Sequence, residues 1–300
     1  MSGGLESGST LHGRYRILSS LGRGSFASVY LARDANWKGN LVALKEISTE
    51  GFSDEEYRDL NTQFLQEAAF LMQLSHPGLP RVVEFFAEGS RYYLAMEWIP
   101  GKSLHEIVHE KGPISEDEAL DWGIQLTGIL GYLHGRTPYP VLLGDLKPSN
   151  VMVTYHGEVK VVDFGVARYL APSQNPRTFA MVSPGFSPPE KYSRFDSDLR
   201  GDLYSLGATL YWALTRASME RYRFQIPPLR KLRPEAHPAL EAVLARCLEI
   251  EPDRRWVRVE AVREQLLRIR DQKEREEEET RRTPGDILGE LYRGKYGGST

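Results

Sequence analysis

Asp145, Lys147 and Asn150 lie within six consecutive residues of the stretch Leu142-Leu143-Gly144-Asp145-Leu146-Lys147-Pro148-Ser149-Asn150. They bring together a carboxylate, an amine and a carboxamide. Pro148 fixes its own φ and pushes Lys147 out of the α region, so a rigid loop is expected here rather than a helix. The apolar runs Val141-Leu142-Leu143 and Val151-Met152-Val153 frame it. A rigid loop between buried strands holds polar groups in fixed relative positions, as catalysis requires. A second carboxylate, Asp163, follows Asp145 by eighteen residues, and a strand pair between them would bring both to one mouth. Asp163 and Asn150 offer oxygen ligands of the kind Mg²⁺ prefers. Asp163-Phe164-Gly165 taken alone also suits an ordinary turn.

The elements that must position these groups are legible upstream. Order is expected from about Tyr15. Arg16-Ile17-Leu18 reads as a strand, and Leu21-Gly22-Arg23-Gly24-Ser25-Phe26-Ala27-Ser28-Val29 as strand, glycine turn, strand. Gly22 and Gly24 let the backbone approach a ligand, and turn N–H groups can face phosphate oxygens. The turn opens a strand, so it is not the dinucleotide fingerprint, which opens a helix. Taken alone, it equally suits a plain hairpin. In Leu41-Val42-Ala43-Leu44-Lys45-Glu46-Ile47, alternation puts Val42, Leu44 and Glu46 on one face and Leu41, Ala43, Lys45 and Ile47 on the other. Lys45 then shares an apolar face and needs a charge partner, unless it runs to water. Ser53-Asp54-Glu55-Glu56 fits a helix capping box. Glu67 follows Leu60 by seven and Phe64 by three, and precedes Leu71 by four, which sets it on the apolar stripe of the helix expected there. Glu67 and Lys45 can satisfy each other.

Strands are expected at Val82-Val83-Glu84-Phe85-Phe86 and Arg91-Tyr92-Tyr93-Leu94-Ala95-Met96-Glu97. Trp98-Ile99-Pro100-Gly101 breaks the pattern and marks a change from strand-rich to helix-rich chain. Ser103 starts a short helix. Ser115-Glu116-Asp117-Glu118 is a capping box opening a long helix that turns Leu126, Ile129, Leu130 and Leu133 inward and ends at His134-Gly135. Across the chain, 300 residues with 41% hydrophobic content supply a sizeable core. A net charge of -3 argues against a nucleic-acid-binding surface. The one cysteine, Cys247, excludes an internal disulfide and a cysteine-built zinc site, and fits a reducing, cytoplasmic compartment. No apolar run is long enough to span a membrane. The Gly/Ser-rich start, residues 1–13, is expected to be disordered rather than a signal peptide.

Taken in order, Gly22-x-Gly24-x-x-Ala27-x-Val29, Ala43-x-Lys45, Glu67, Asp145-x-Lys147-x-x-Asn150, Asp163-Phe164-Gly165 and Pro188-Pro189-Glu190 resemble the signature set of the eukaryotic-like protein kinase family. Asp202 resembles that family's buried helix aspartate, and Arg255 the arginine that pairs with the glutamate matched by Glu190. The stretches around Ser183 to Glu190 and Asp202 to Tyr211 look most like bacterial serine/threonine kinases. The resemblance covers residues 15 to 270.

It implies an α+β, two-lobed protein-kinase-like fold: a strand-rich N-lobe over 14–97, a hinge over 97–100, a helical C-lobe over 101–270, then a charged helix and tail over 271–300. It implies a serine/threonine kinase that transfers the ATP γ-phosphate to protein hydroxyls, with ATP and Mg²⁺ as cofactors. Asp145 would accept the hydroxyl proton and Lys147 would stabilise the γ-phosphate. Leu21, Val29 and Ala43 would cover the adenine from above and Met152 from below, with Gly22 and Gly24 over the phosphates. Met96 would back the pocket, and Glu97 to Ile99 would form the hinge. Lys45, held by Glu67, would contact phosphates; Asn150 and Asp163 would bind the metal. The implied partners are protein substrates with Ser or Thr, with no nucleic acid and no membrane span. The tail residues Ile287, Leu288, Leu291 and Tyr292 suit contact with the domain or a partner, or a frayed end.

Three departures stand out: Ala27 in place of a third glycine, Pro188 in place of alanine, and Leu143-Gly144 in place of His-Arg before Asp145. Gly144 carries no cation, which motivates two expectations. One is activity independent of phosphorylation at Thr178 or Ser173, with Ser183 in a structural role. The other is the alternative of a pseudokinase or ATP-binding scaffold. A small-molecule kinase of similar fold is a third reading, disfavoured by the long segment between Gly165 and Glu190.

Overall fold

The computed structural model describes residues 5–23, 27–37, 39–48, 72–89, 91–164, 167–170, 182–192 and 198–281. The strands of the first part are β1 (Thr10–Leu11), β2 (Tyr15–Arg23), β3 (Ala27–Asp34), β4 (Leu41–Ser48), β5 (Val82–Glu88) and β6 (Arg91–Glu97). They form one antiparallel sheet in the order β1-β2-β3-β4-β6-β5. Its two faces divide by the strand period of two. Tyr30, Ala32, Val42, Leu44, Tyr93 and Ala95 pack on the outer face with Leu11, Tyr15, Ile17 and Phe86. Leu94 and Met96 turn the other way and join the main core, with Ala43 and Val82 packed against it. Val42, Leu44 and Glu46 are buried as the alternation predicts. Buried Glu46 is satisfied on the outer face by the hydroxyls of Tyr30 (2.9 Å) and Tyr93 (3.2 Å) and by Arg91 (2.7 Å).

The expectation of a disordered start is corrected for residues 5–13. β1 pairs with β2, Gly8 donates to the Ile17 carbonyl and Ile17 to the Ser9 carbonyl, both at 2.9 Å. Leu5 and Leu11 supply the apolar contact that the Gly/Ser content obscured, covering the outer face of the sheet. Arg14 locks the entry, donating two hydrogen bonds to Asp34 at 2.7 Å each and pairing with Glu84.

The second part begins with β7 (Gly101–Ser103), α1 (Leu104–Lys111) and α2 (Glu116–His134). Both helices open on complete capping boxes, Ser103 with Glu106 and Ser115 with Glu118. Leu126, Ile129, Leu130 and Leu133 of α2 are buried, as their spacing predicts. The chain continues through β8 (Val141–Leu142), β9 (Val151–Thr154), β10 (Val159–Val161), β11 (Arg168–Tyr169), α3 (Pro189–Tyr192), α4 (Arg200–Thr215), α5 (Leu229–Leu232), α6 (Pro238–Cys247) and α7 (Val259–Arg281). α4 is the buried axis, with Gly201 to Tyr211 buried without interruption. Gly207 lets α6 approach closely, since a Cβ there would lie 2.6 Å from the Cys247 Cβ. Burial pushes the Cys247 thiol up to about 12, which keeps it protonated and unreactive. α7 carries its helix through the charged run to Arg281, with Val262, Leu266 and Ile269 buried and Lys273 paired to Glu116 and Asp117. A strand-rich lobe thus meets a helical lobe through a shared apolar core. Glu67, Thr178, Ser173, Gly24, Gly165 and the apolar tail residues lie outside the described residues.

Candidate active site

The loop from Leu143 to Asn150 hangs between two strand pairings, β8 with β11 before it and β9 with β10 after it. Its backbone is tied to α4. The Asp202 side chain, fully buried in the first turn of α4, accepts from the Leu143 N–H at 2.9 Å and the Gly144 N–H at 2.8 Å. His134, the last residue of α2, meets the same carboxylate through Nε2 at 2.9 Å. Two N–H groups and an imidazole converging on one buried carboxylate satisfy its desolvated oxygens. Gly144 sits at φ +80°, in the left-handed region that a residue without Cβ enters freely. Its carbonyl accepts from Lys191 Nζ at 2.8 Å.

Lys147 is extended at φ -154° and ψ 163°, as the following proline requires, and Pro148 to Asn150 then close a single 3₁₀ turn. The turn brings the sequence-predicted groups together. Lys147 Nζ donates to Asp145 Oδ2 at 2.6 Å. The Ser183 hydroxyl donates to Asp145 Oδ1 at 2.6 Å and accepts from Lys147 at 2.9 Å. Asn150 Nδ2 donates to the Asp145 carbonyl at 2.9 Å and lies 3.3 Å from Oδ2. Both oxygens of Asp145 are therefore engaged, and its side chain is only 13% exposed. Ser183 is held in turn by Ser187, whose hydroxyl accepts from its N–H at 2.9 Å.

Asp163 reaches the same mouth along the β9–β10 hairpin. Val162 N–H bonds the Asn150 carbonyl at 3.0 Å, so residues 150 and 163 leave one hairpin base. The Asp163 carboxylate is 41% exposed and meets Lys45 Nζ at 3.2 Å. The Lys45 contact is one that the spacing, which points to Glu67, does not reveal. The sheet's register sets the rest. Gly22 stands opposite Val29, Val29 opposite Lys45 and Lys45 opposite Leu94. One pleat further along, Ala43 stands opposite Met96. Opposed residues share a face, so these rows form the sheet's inner wall. Leu21 is exposed near the end of β2; Met96 and Ile99 are buried; Val29, Ala43, Glu97 and Met152 are half-buried. Glu97 is fixed at the end of β6 by Lys160 at 2.8 Å and by its N–H to the Arg81 carbonyl at 2.8 Å. Met152 faces Lys160 on β10 and Ser103 on β7.

A buried ion pair anchors the segment beyond Ser183. Arg255 donates to both oxygens of Glu190 at 2.7 Å each, and also to the carbonyls of Glu249, Ile250 and Arg200. Its side chain is fully buried, so these five bonds are what make its burial tolerable. The pair matches the one the sequence assigns. His134 and Lys191 were not singled out by the sequence. A histidine at a helix end and a lysine after a glutamate carry no local signal of the partners they meet far along the chain.

Comparison with known proteins finds protein kinases among this chain's relatives. A serine/threonine-protein kinase PknB of Mycolicibacterium smegmatis is 30% identical over 280 residues, covering 87% of this chain and 44% of that protein. A probable serine/threonine-protein kinase PknB of Lactococcus lactis is 29% identical, covering 85% and 42%. The serine/threonine-protein kinase PrkC of Bacillus subtilis is 26% identical, covering 83% and 39%. The chain spans less than half the length of these curated relatives. The family model for the protein kinase domain matches residues 15–267. A match over residues 15–267, from β2 through the Leu143–Asn150 loop and into α7, makes this chain a member of the protein kinase family.

Proposed function

We propose that the chain is a serine/threonine protein kinase that transfers the ATP γ-phosphate to protein hydroxyls. The observation that carries this reading is the bonding of Asp145 to Lys147 and Asn150 within one rigid turn and to Ser183 from the segment before α3. Asp145 is aimed to accept the proton of an incoming hydroxyl, and Lys147, next to it, is placed to meet charge on the transferred phosphate. Val29, Ala43 and Met96 of the inner wall, with Leu21 at the exposed end of β2, suit the adenine side of ATP, with Gly22 toward the phosphates, Met152 below and Glu97 to Ile99 at the hinge. Gly24 and Glu67 keep the roles the family resemblance implies.

Asn150 and Asp163 offer oxygen donors at one hairpin base, a set that fits Mg²⁺ shared with phosphates. The ion would supply positive charge against the phosphate oxygens. Lys45 and Asp163 neutralise each other at 3.2 Å. Phosphate suits the first and a cation suits the second, so nucleotide binding would exchange one ion pair for two favourable contacts. Lys147, two residues after Asp145, favours serine and threonine acceptors on family grounds. Among the described residues no helix is long and apolar enough to cross a membrane. The lone buried Cys247 fits a cytoplasmic setting, and the apolar tail residues are the candidate for a partner contact. The scaffold alternative draws on Gly144 alone.

Labelled ATP and Mg²⁺ with a generic basic protein, compared with small alcohols, test the assignment. Asp145→Asn is expected to lower turnover by about 10²-fold or more while ATP affinity stays within a few-fold. Turnover of the variant near that of the parent would remove Asp145 from its role. Transfer to alcohols but not to protein would point to a small-molecule kinase.

A further inference from the structure

Residue 144 precedes the catalytic aspartate and has no side chain, so whatever holds it must act on its peptide groups. Its N–H goes to the buried Asp202 carboxylate at 2.8 Å. Its C=O, part of the peptide that carries the Asp145 N–H, accepts from Lys191 Nζ at 2.8 Å, from 47 residues further along the chain. An anion on the N–H side and a cation on the C=O side align with the local dipoles, and charge-assisted bonds of this kind are the stronger ones. Gly144 holds its φ of +80° between these two anchors.

Lys191 is itself well placed to act as an anchor. It follows Glu190, whose two oxygens are held by fully buried Arg255. Its own N–H bonds the Pro188 carbonyl at 3.1 Å, and Ser187, just upstream, is buried and bonded to Ser183. The lysine therefore projects from a braced segment into the catalytic loop, and that segment also carries Ser183, which bonds Asp145.

We propose that Lys191 is a positioning residue that clamps the Gly144 peptide and so fixes Asp145 in its productive orientation. It acts from the segment that follows Ser183, in place of a side chain on residue 144. The proposal rests on the reading of Asp145 as the hydroxyl acceptor. It also couples the loop to the Glu190–Arg255 ion pair, so the integrity of that pair is transmitted to the reacting carboxylate.

The test uses Lys191→Met, which keeps length and removes the donor, and Lys191→Arg, which keeps a cation, in the full chain. Steady-state kcat and the KM for ATP, thermal unfolding, and hydrogen exchange of the loop amides are read on the same samples. Lys191→Met is expected to lower kcat about tenfold, equal to about 1.4 kcal/mol of barrier, with the KM for ATP within about twofold. Lys191→Arg should restore most of that loss, and exchange at the Asp145 and Leu146 amides should quicken in Lys191→Met alone. A kcat of Lys191→Met within twofold of the parent overturns the proposal, as does a loss that falls on KM. Equal loss in Lys191→Arg, tracking a lowered melting temperature, also overturns it by reducing the lysine to a structural prop. If the parent transfers no phosphate, the kinase reading fails, and the exchange measurement alone decides the clamp: unchanged loop exchange in Lys191→Met refutes it.

Discussion

Asp202→Asn separates the anchoring of the Leu143–Asn150 loop from the chemistry proposed for Asp145. The carboxylate accepts from the N–H groups of Leu143 and Gly144 and meets His134 Nε2, at 2.9, 2.8 and 2.9 Å. A carboxamide of the same shape has one oxygen. With that oxygen at the Oδ2 position, Leu143 and His134 keep an acceptor, and the Gly144 N–H faces an NH₂. With the amide turned over, Gly144 keeps its bond and Leu143 loses its own. Either way at least one buried N–H is left against a donor, which costs about 1–3 kcal/mol. For a domain of this size 1 kcal/mol moves the melting temperature by about 2–4 °C, so a drop of about 4–8 °C is expected for a mid-range cost. Displacement of the Leu143–Gly144 backbone reaches Asp145 directly, and a small misplacement of a reacting group costs up to about 10²-fold. Turnover should therefore fall by roughly ten- to a hundredfold while ATP binding changes little. Calorimetry and steady-state assays on one preparation give both numbers. A melting temperature within about 1 °C of the parent together with turnover within twofold would refute the anchoring role of Asp202.

Two further outcomes follow from named contacts. Ser183→Ala removes the hydroxyl that bridges Asp145 and Lys147; kcat should fall about tenfold, or ~1.4 kcal/mol, and Ser183→Thr should keep most of it, whereas equal kcat in Ala and Thr variants would show that the hydroxyl is idle. His76 Nδ1 accepts from the Gly78 N–H at 3.0 Å, and burial holds the imidazole below its usual range, favouring the neutral ring in the folded state. The unfolded chain then takes up the proton first, so stability is intact above about pH 6.5 and declines as pH falls from there toward the folded value. Denaturant midpoints at pH 7.5 and 5.5 should fall further for the parent than for His76→Gln, and parallel profiles would dismiss the histidine as a source of acid sensitivity.

What the sequence determined by itself was the local physics. Alternation sent Val42, Leu44 and Glu46 to one face of β4 and Lys45 to the other, because strand side chains alternate with a fixed period. The box of Ser115 and Glu118 set the start of α2 because capping bonds span three residues. Pro148 forced Lys147 extended and allowed the turn that gathers Asp145, Lys147 and Asn150. Family resemblance marked Asp202 and Ser183 and paired Arg255 with Glu190, but it did not show the Lys45–Asp163, His134–Asp202 or Lys191–Gly144 contacts. Tertiary packing decided those pairings. Lys45 finds Asp163 across 118 residues, His134 finds Asp202 across 68, and Lys191 finds the Gly144 carbonyl across 47. The Gly/Ser-rich start reads as loose chain, yet Leu5 and Leu11 fold onto the outer sheet face, because only the assembled sheet presents the apolar surface they cover. A side chain's propensity and period are properties of its neighbours in sequence. Its partner in a buried polar network is a property of the fold, fixed only when the helices and sheet have packed and left each desolvated group one place to bond.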